Sequence, residues 1–298
     1  MQRLILHIGT HKTGTTAIQG WLAREGPALA RAGFHYGATT RPPHPEIPKH
    51  TSLYRALAEG RAAEELQAIR RDHARSGLPH LVLSEEGLSL PCYRAFAPMR
   101  QLARHYEITV VALLRRQDYL MESHWNQLCK QGQTGLYLAE FVDRDWHRRR
   151  REYDRILDFW SGFARIEARA YDPGLDGGAV AQFLEAAGLP FTAGPKRMAN
   201  LSPSMNSAAL CALLNRHGLS RLVPFVTWSL RGDRRRHGLG GALRARLLAE
   251  VAQGNARLAE RYGVQFDDRL PDEPPEPLSR PDPGALLRAL LHRPAQTG

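Results

Sequence analysis

The sequence predicts an α/β fold in three layers of the P-loop type: a central parallel sheet flanked by helices, with a mostly helical C-terminal part. Three observations carry this. Short apolar runs that read as strands alternate with segments whose apolar residues recur at helical spacing. The run Ile108-Thr109-Val110-Val111-Ala112-Leu113-Leu114 lacks polar alternation, as expected of a parallel strand buried on both faces. Between the first strand and the first helix lies a glycine- and threonine-rich loop with the frame of a phosphate cradle. The 298 residues allow one large α/β domain or two small ones. The expectation is a single domain: an α/β core over 1–190, a helical extension over 191–270, and a proline-rich tail with a short helix over 271–298.

The elements follow in order. Leu4 to Ile8 is the first strand, ended by Gly9 and a Thr/Gly/Lys cluster. A helix starts near Gly14, with Ile18, Trp21, Leu22 and Leu29 on one face. Residues 41–48 are too rich in proline for a helix and read as an extended surface segment. A helix carrying Leu53, Leu57, Leu66 and Ile69 leads to a second strand, His80 to Leu83, and a helix over 94–105 leads to the strand 108–114. Helices over 118–130 and 150–162, a strand near 164–170 and a helix over 178–187 complete the core. Helical patterns recur at 204–216, 242–261 and 284–291, and six prolines make 271–283 a loop or tether.

Composition narrows the function. With 43% apolar residues the chain builds a full core without a metal or a disulfide framework. Three dispersed cysteines with no CxxC argue against a disulfide scaffold and a zinc cluster, and suit a reducing cytosol. The N-terminus is too short for a signal peptide, and no stretch approaches the length of a membrane span; a cytoplasmic location is expected. The formal charge of +11 invites a nucleic-acid reading. Of the 41 basic residues only Lys12, Lys49, Lys130 and Lys196 are lysines, so the charge is carried by arginine, which forks onto phosphate and sulfate oxygens.

Gly9-Thr10-His11-Lys12-Thr13-Gly14-Thr15-Thr16 satisfies G-x-x-x-x-G. Its glycines let the backbone curl, so that successive N–H groups and a helix N-terminus face an anion. It departs from a Walker A loop, which has lysine directly after the second glycine and then a magnesium-binding hydroxyl. Here Thr15 takes the lysine's place and the lysine, Lys12, lies inside the loop. An anion with one fewer charged group than a triphosphate needs no metal clamp. The run His7 to Thr16 resembles the 5′-phosphosulfate-binding loop of sulfotransferases, especially bacterial members with an HKTGTT core. The resemblance implies a cofactor, 3′-phosphoadenosine 5′-phosphosulfate, no metal, and a cofactor site of Thr10, His11, Lys12, Thr13, Gly14, Thr15 and Thr16. It implies that Lys12 assists the leaving phosphate.

The same family predicts an arginine at the end of a core strand with a serine eight residues later, together binding the cofactor's 3′-phosphate. Arg115 and Ser123 fit. Independently of the family, an arginine leaving the carboxyl end of a parallel strand faces the crevice where open α/β sheets bind ligands. Arg116 reads as solvated or paired with a carboxylate, and Gln117 stands where the family commonly has proline. Phe183-Leu184-Glu185-Ala186-Ala187-Gly188-Leu189 is similar to the family's FLxxxGL helix end; beyond residue 200 the resemblance is faint.

Sulfuryl transfer needs a base for the acceptor's proton. The strand between the two cofactor motifs ends in Ser84-Glu85-Glu86, which makes Glu85 the first candidate and Glu86 a solvated neighbour or salt-bridge partner. His50, after the proline segment, is the second. His7 reads as packed in its strand, and His11 as within reach of a cofactor oxygen. The expected activity is transfer of a sulfuryl group to a hydroxyl or amine of a small-molecule, lipid or glycan acceptor, leaving adenosine 3′,5′-bisphosphate. Trp125, Tyr137, Phe141, Trp146 and Trp228 either line an acceptor pocket or belong to the core. The basic clusters His147–Arg151 and Arg231–His237 are solvated surface, or in the second case a lid. The rivals are a P-loop nucleotide kinase or phosphotransferase, which would want the Walker lysine, and a non-catalytic nucleic-acid-binding protein. The latter would interleave its basic residues with exposed aromatics, a pattern not seen here, so no nucleic-acid partner is expected.

Overall fold

A computed structural model of the chain describes residues 2–37, 48–194, 204–230, 233 and 235–271. In chain order the elements are β1 (Gln2–His7), α1 (Thr15–Arg24), α2 (Gly26–Arg31), β2 (Phe34–Tyr36), α3 (Thr51–Ala58), α4 (Ala62–Ser76), β3 (His80–Ser84), β4 (Tyr106–Leu114), α5 (Gln117–Lys130), α6 (Leu138–Asp143), α7 (Asp145–Arg149), α8 (Tyr153–Ser161), β5 (Arg165–Ala170), α9 (Gly178–Ala187), α10 (Met205–Arg216), α11 (Val223–Ser229) and α12 (Gly241–Tyr262). Stretches of 3₁₀-helix run over Glu86–Ser89, Tyr93–Arg104 and Ser220–Leu222.

The chain forms two compact units, each assembled from separate stretches of the sequence. The first comprises Met1–Arg116, Glu152–Lys196 and Gln253–Phe266; the second comprises Gln117–Arg151, Arg197–Ala252 and Asp267–Gly298.

The first unit is the expected three-layer α/β fold. Its five strands are all parallel, in the order β2-β3-β1-β4-β5. Leu4, Ile5 and Leu6 of β1, Leu81, Val82 and Leu83 of β3, and Val110 to Leu113 of β4 are inaccessible to solvent, as a sheet covered on both faces requires. Side chains alternate between faces. One face, with Ile5, Val82, Val111 and Leu113, packs against Ile18, Trp21 and Leu22 of α1, Leu29 of α2, and Phe183 and Leu184 of α9. Each such buried side chain contributes about 1.5–3 kcal/mol.

Three expectations change. β2 is a fifth strand, only three residues long and too short for any period to reveal it; it pairs with β3 through Phe34–His80, His35–Leu81 and Tyr36–Val82. The helix expected over 94–105 is 3₁₀, with Pro98 inside it; proline lacks the N–H that a regular α-helical ladder needs. The helix expected over 150–162 begins only at Tyr153, after the separate turn α7.

The second unit is helical among its described residues. Trp125 and Phe141, two of the candidate pocket aromatics, are buried there, while Trp146 and Trp228 are exposed. At its centre Arg244 is fully buried and donates to Asp118 and, at 2.9 Å, to Glu122. Glu122 also accepts the backbone N–H groups of Gly238 and Leu239, both at 2.9 Å. Residues 41–47 of the 41–48 segment expected to be extended, the short helix at 284–291, nearly all of the proline-rich tail, and Arg231, Gly232 and Arg234 lie outside the described residues. Among the described residues no helix is long and apolar enough to cross a membrane, and the three cysteines form no disulfide.

Candidate active site

The strand order makes β1 the point where the winding reverses, because the chain goes from β1 to β2 and β3 on one side and to β4 and β5 on the other. Ligands of open α/β sheets bind at the carboxyl ends of strands at such a point. Three segments of the first unit end there: the loop after β1, the turn after β3 and the exit of β4.

The loop stays tied to β4 at its start. Ile8 N–H donates to Val111 O (3.0 Å), Thr10 N–H to Leu113 O (2.8 Å), and Gly9 O accepts from Leu113 N–H (2.7 Å). It then curls through three positive φ angles, at Gly9 (+95°), Lys12 (+67°) and Gly14 (+77°). Glycine is needed at both of its positions: a Cβ on Gly9 would lie 2.9 Å from Glu86 Cβ, and one on Gly14 would lie 2.5 Å from Ala179 Cβ. Lys12 has no such freedom. A non-glycine residue held left-handed costs about 1–3 kcal/mol, and such strain clusters at functional sites. Gly14 caps α1 without any side-chain cap, and no acid occupies the first turn. The first N–H groups of α1 and their partial positive charge therefore favour an anion.

Thr10 and Thr13 serve the loop itself. The Thr13 hydroxyl donates to Thr10 O (2.6 Å) and the Thr10 hydroxyl to Leu113 O (3.1 Å), and both residues are buried. What they present to a ligand is backbone. Thr15 is buried, Thr16 is exposed, and His11, Lys12 and Gly14 are half-buried.

Arg115 follows the last residue of β4. Its Nη1 donates to Lys12 O at 2.9 Å, joining the two motifs, and Tyr153 Oη donates to Arg115 O at 2.7 Å. The guanidinium thus props the strained loop from the neighbouring strand. Arg116 is buried rather than solvated. Ser123 lies half-buried on α5, in the second unit.

At the end of β3 the two carboxylates differ. Glu85, 2% exposed, turns back to accept Gly87 N–H at 2.9 Å. Glu86 is no solvated neighbour: it accepts from Lys49 Nζ at 2.6 Å and from Gln19 Nε2 of α1 at 2.8 Å. Lys49 also lies 3.8 Å from Glu85 Oε1, so one ammonium bridges two carboxylates. Burial, with the Glu86 charge beside it, pushes the Glu85 carboxyl up to about 7, against the opposing pull of Lys49 and Gly87 N–H. Burial also pushes Glu86 up, but Lys49, His11 and the hydrogen bonds from Lys49 and Gln19 hold it well below the usual carboxylate range. Two carboxylates pushed apart in this way can divide the roles of proton acceptor and fixed charge. As the pH falls through about 7, the first proton that the pair takes up goes to Glu85.

His50 is built into the fold. Fully buried at the N-cap of α3, its Nδ1 accepts Ser84 N–H at 3.0 Å and its Nε2 lies 2.8 Å from Gly37 O, which assigns the ring proton to Nε2. Using it as a base would break the bridge between β3 and the segment after β2. His7 is packed in its strand, with Nδ1 2.8 Å from Ser84 Oγ; burial drives it down to about 4, against the Glu86 charge.

The structure thus assembles Lys12, the rest of the loop, Arg115 and Glu85 at adjacent strand ends of one unit. Lys49 and Gln19 are the members that sequence reasoning overlooked. Gln19 gave no signal beyond a polar residue on an apolar helix. Lys49 did give one, as one of only four lysines in an arginine-rich chain. Searches against protein-family models and against curated proteins find no match.

Proposed function

We propose that the chain is a sulfotransferase that uses 3′-phosphoadenosine 5′-phosphosulfate and an acceptor hydroxyl or amine. The convergence of the loop, Arg115 and the Glu85–Lys49–Glu86 cluster at three adjacent strand ends carries this reading. The donor set suits the group. An uncapped helix N-terminus, turned backbone amides and one lysine match a phosphosulfate end, and the residue directly after the second glycine, Thr15, brings no second cation for a triphosphate. The bound nucleotide supplies the sulfuryl group and a phosphate leaving group.

The chain's residues do the rest. The loop amides and Lys12 hold the sulfated end, and Lys12 meets negative charge as it develops on the leaving oxygen, a preorganised donor worth about 3 kcal/mol of barrier. Arg115 serves the 3′-phosphate and keeps the loop in shape; Ser123 enters the reading through the motif alone. Glu85 accepts the acceptor's proton, its affinity for a proton being suited to neutral pH. Glu86 stays ionised and holds Lys49, so the cluster never carries two uncompensated charges. The acceptor, within the proposal, is a small molecule, lipid or glycan in the cytoplasm.

Thermal-shift titration tests the reading. Adenosine 3′,5′-bisphosphate should raise the unfolding temperature without magnesium, and more than ATP does. Stabilisation by ATP with magnesium but not by the bisphosphate would transfer the chain to the kinase class.

A further inference from the structure

The second unit bears a surface that the proposed chemistry leaves unused. Leu219, Leu222, Phe225 and Trp228 are 37%, 38%, 36% and 44% exposed, and they follow one another at intervals of three. The spacing has a structural meaning. Leu222 ends the 3₁₀ turn Ser220–Leu222 and the helix α11 starts at Val223. A 3₁₀ turn eclipses residues three apart, and an α-helix keeps i and i+3 on neighbouring positions. The four exposed side chains therefore follow one another along the segment, while Val223 and Val226 between them are buried. Exposed apolar side chains scattered singly need no explanation, but a contiguous line of them does.

Its charge surroundings select the occupant. The sequence has no aspartate or glutamate from residue 186 to residue 232, whereas Arg216, His217 and Arg221 all lie within the segment and are exposed. Arg216 is paired with Glu140 at 2.7 Å. The sequence then adds Arg231, Arg234, Arg235 and Arg236 with only Asp233 among them. A second copy of the chain would set Arg216 and Arg221 against their own counterparts with no acid from the segment to answer them. Nucleic acid would find no π-face on Leu219 or Leu222. A tryptophan and a phenylalanine flanked by leucines, in a stretch that carries arginines and no acid of its own, match an anionic bilayer surface, where indole rings sit at headgroup level and arginines meet the lipid phosphates.

We infer that the Leu219–Trp228 face docks this protein reversibly on anionic membrane surfaces. The inference is independent of the sulfotransferase reading, because none of these residues belongs to the site of the first unit.

Co-sedimentation with vesicles tests it, one set of equimolar phosphatidylcholine and phosphatidylglycerol, the other of phosphatidylcholine alone. The full chain should sediment with the anionic vesicles, be released by high salt, and bind the neutral ones much more weakly. The double variant Phe225→Asp/Trp228→Asp should bind the anionic vesicles at least about tenfold more weakly, since the apolar contribution is replaced by repulsion. Its circular dichroism should be unchanged, because both side chains are exposed. Arg221→Glu, which leaves the apolar line intact, should lower binding to the anionic vesicles alone by about fivefold. Undiminished binding by both variants overturns the inference. So does absence of binding by the parent chain, including the case in which a concentration-dependent dimer is found that the double variant abolishes.

Discussion

Replacing Glu85 by glutamine should make the protein more stable and inactive at once. A carboxyl whose midpoint moves from 4.5 to about 7 on folding carries about 3 kcal/mol of charge-burial cost once it is ionised in both states. The sign follows from the raised midpoint: the cost is absent below pH 4.5, grows between 4.5 and about 7, and is complete above that. Glutamine keeps an oxygen for Gly87 N–H, now 2.9 Å from Glu85 Oε1, and brings no charge. Glu86 works in the opposite sense. Its lowered midpoint adds stability above its ordinary value that is lost as the pH falls below it, and this is common to both proteins. Urea unfolding should therefore show Glu85→Gln ahead by about 1–3 kcal/mol near pH 8, with the gap closing as the pH approaches about 4.5. Turnover should fall by about a hundredfold or more, the usual worth of a positioned base. A residue that costs stability and supplies activity is a functional residue, not a structural one. A gap that does not change with pH, or a destabilised variant, would refute the electrostatic account. Full activity would refute the assignment of the base.

The remaining predictions concern the loop and the second unit. Lys12→Ala should lose about a hundredfold in transfer while keeping bisphosphate affinity within a few-fold; Arg115→Ala should lose affinity about tenfold or more, as it removes both a phosphate partner and the prop at Lys12 O. Calorimetry and turnover together check this, and equal small effects from both would show the nucleotide to be misplaced. Gly14→Ala puts a Cβ at φ +77°, 2.5 Å from Ala179 Cβ, and should cost about 2–4 kcal/mol in urea unfolding; Ala179→Gly in the same chain should recover the clash but not the strain. Arg244→Met leaves Asp118 and Glu122 buried without their cation and should cost about 3–5 kcal/mol, whereas Arg244→Met with Asp118→Asn and Glu122→Gln should recover much of that loss.

Where a feature depends on residues near each other in sequence, the chain announces it. The strands at the sheet centre are legible because burial on both faces leaves nothing polar to alternate, and the loop because glycine, lysine and threonine must sit at fixed offsets between β1 and α1. β2 is invisible because its three residues derive their strand character from β3, not from their own composition. The proposed base shows the same limit more sharply. Ser84-Glu85-Glu86 marks the strand end, but which carboxylate keeps the proton is decided by Lys49 and Gln19, which approach from 36 and 67 residues away in the sequence (85 − 49 and 86 − 19). His50 illustrates the converse, a titratable residue whose role is fixed by two backbone partners no local pattern reveals.

The charge of +11 also changes meaning once partners are known. Many arginines are spent on carboxylates: Arg257 grips Asp154 with two nitrogens, Arg216 bonds both oxygens of Glu140, Arg151 and Arg246 share Glu250, and Arg261 meets Asp158. Arginine suits this work, being permanently charged and planar, with donors that fit a carboxylate. Lysine is a compact point charge whose proton affinity responds to its surroundings. Two of the chain's four lysines, Lys12 and Lys49, stand at the strand ends where the proposed chemistry needs a mobile point charge, one beside the anion loop and one between two carboxylates. Such pairs cancel and leave the excess as it was, and the total alone does not say where on the protein it sits. The placement of its rarer cation says more for the proposed function: Lys12 lies in the anion loop and Lys49 between two carboxylates, where a compact charge fits better than a planar fork.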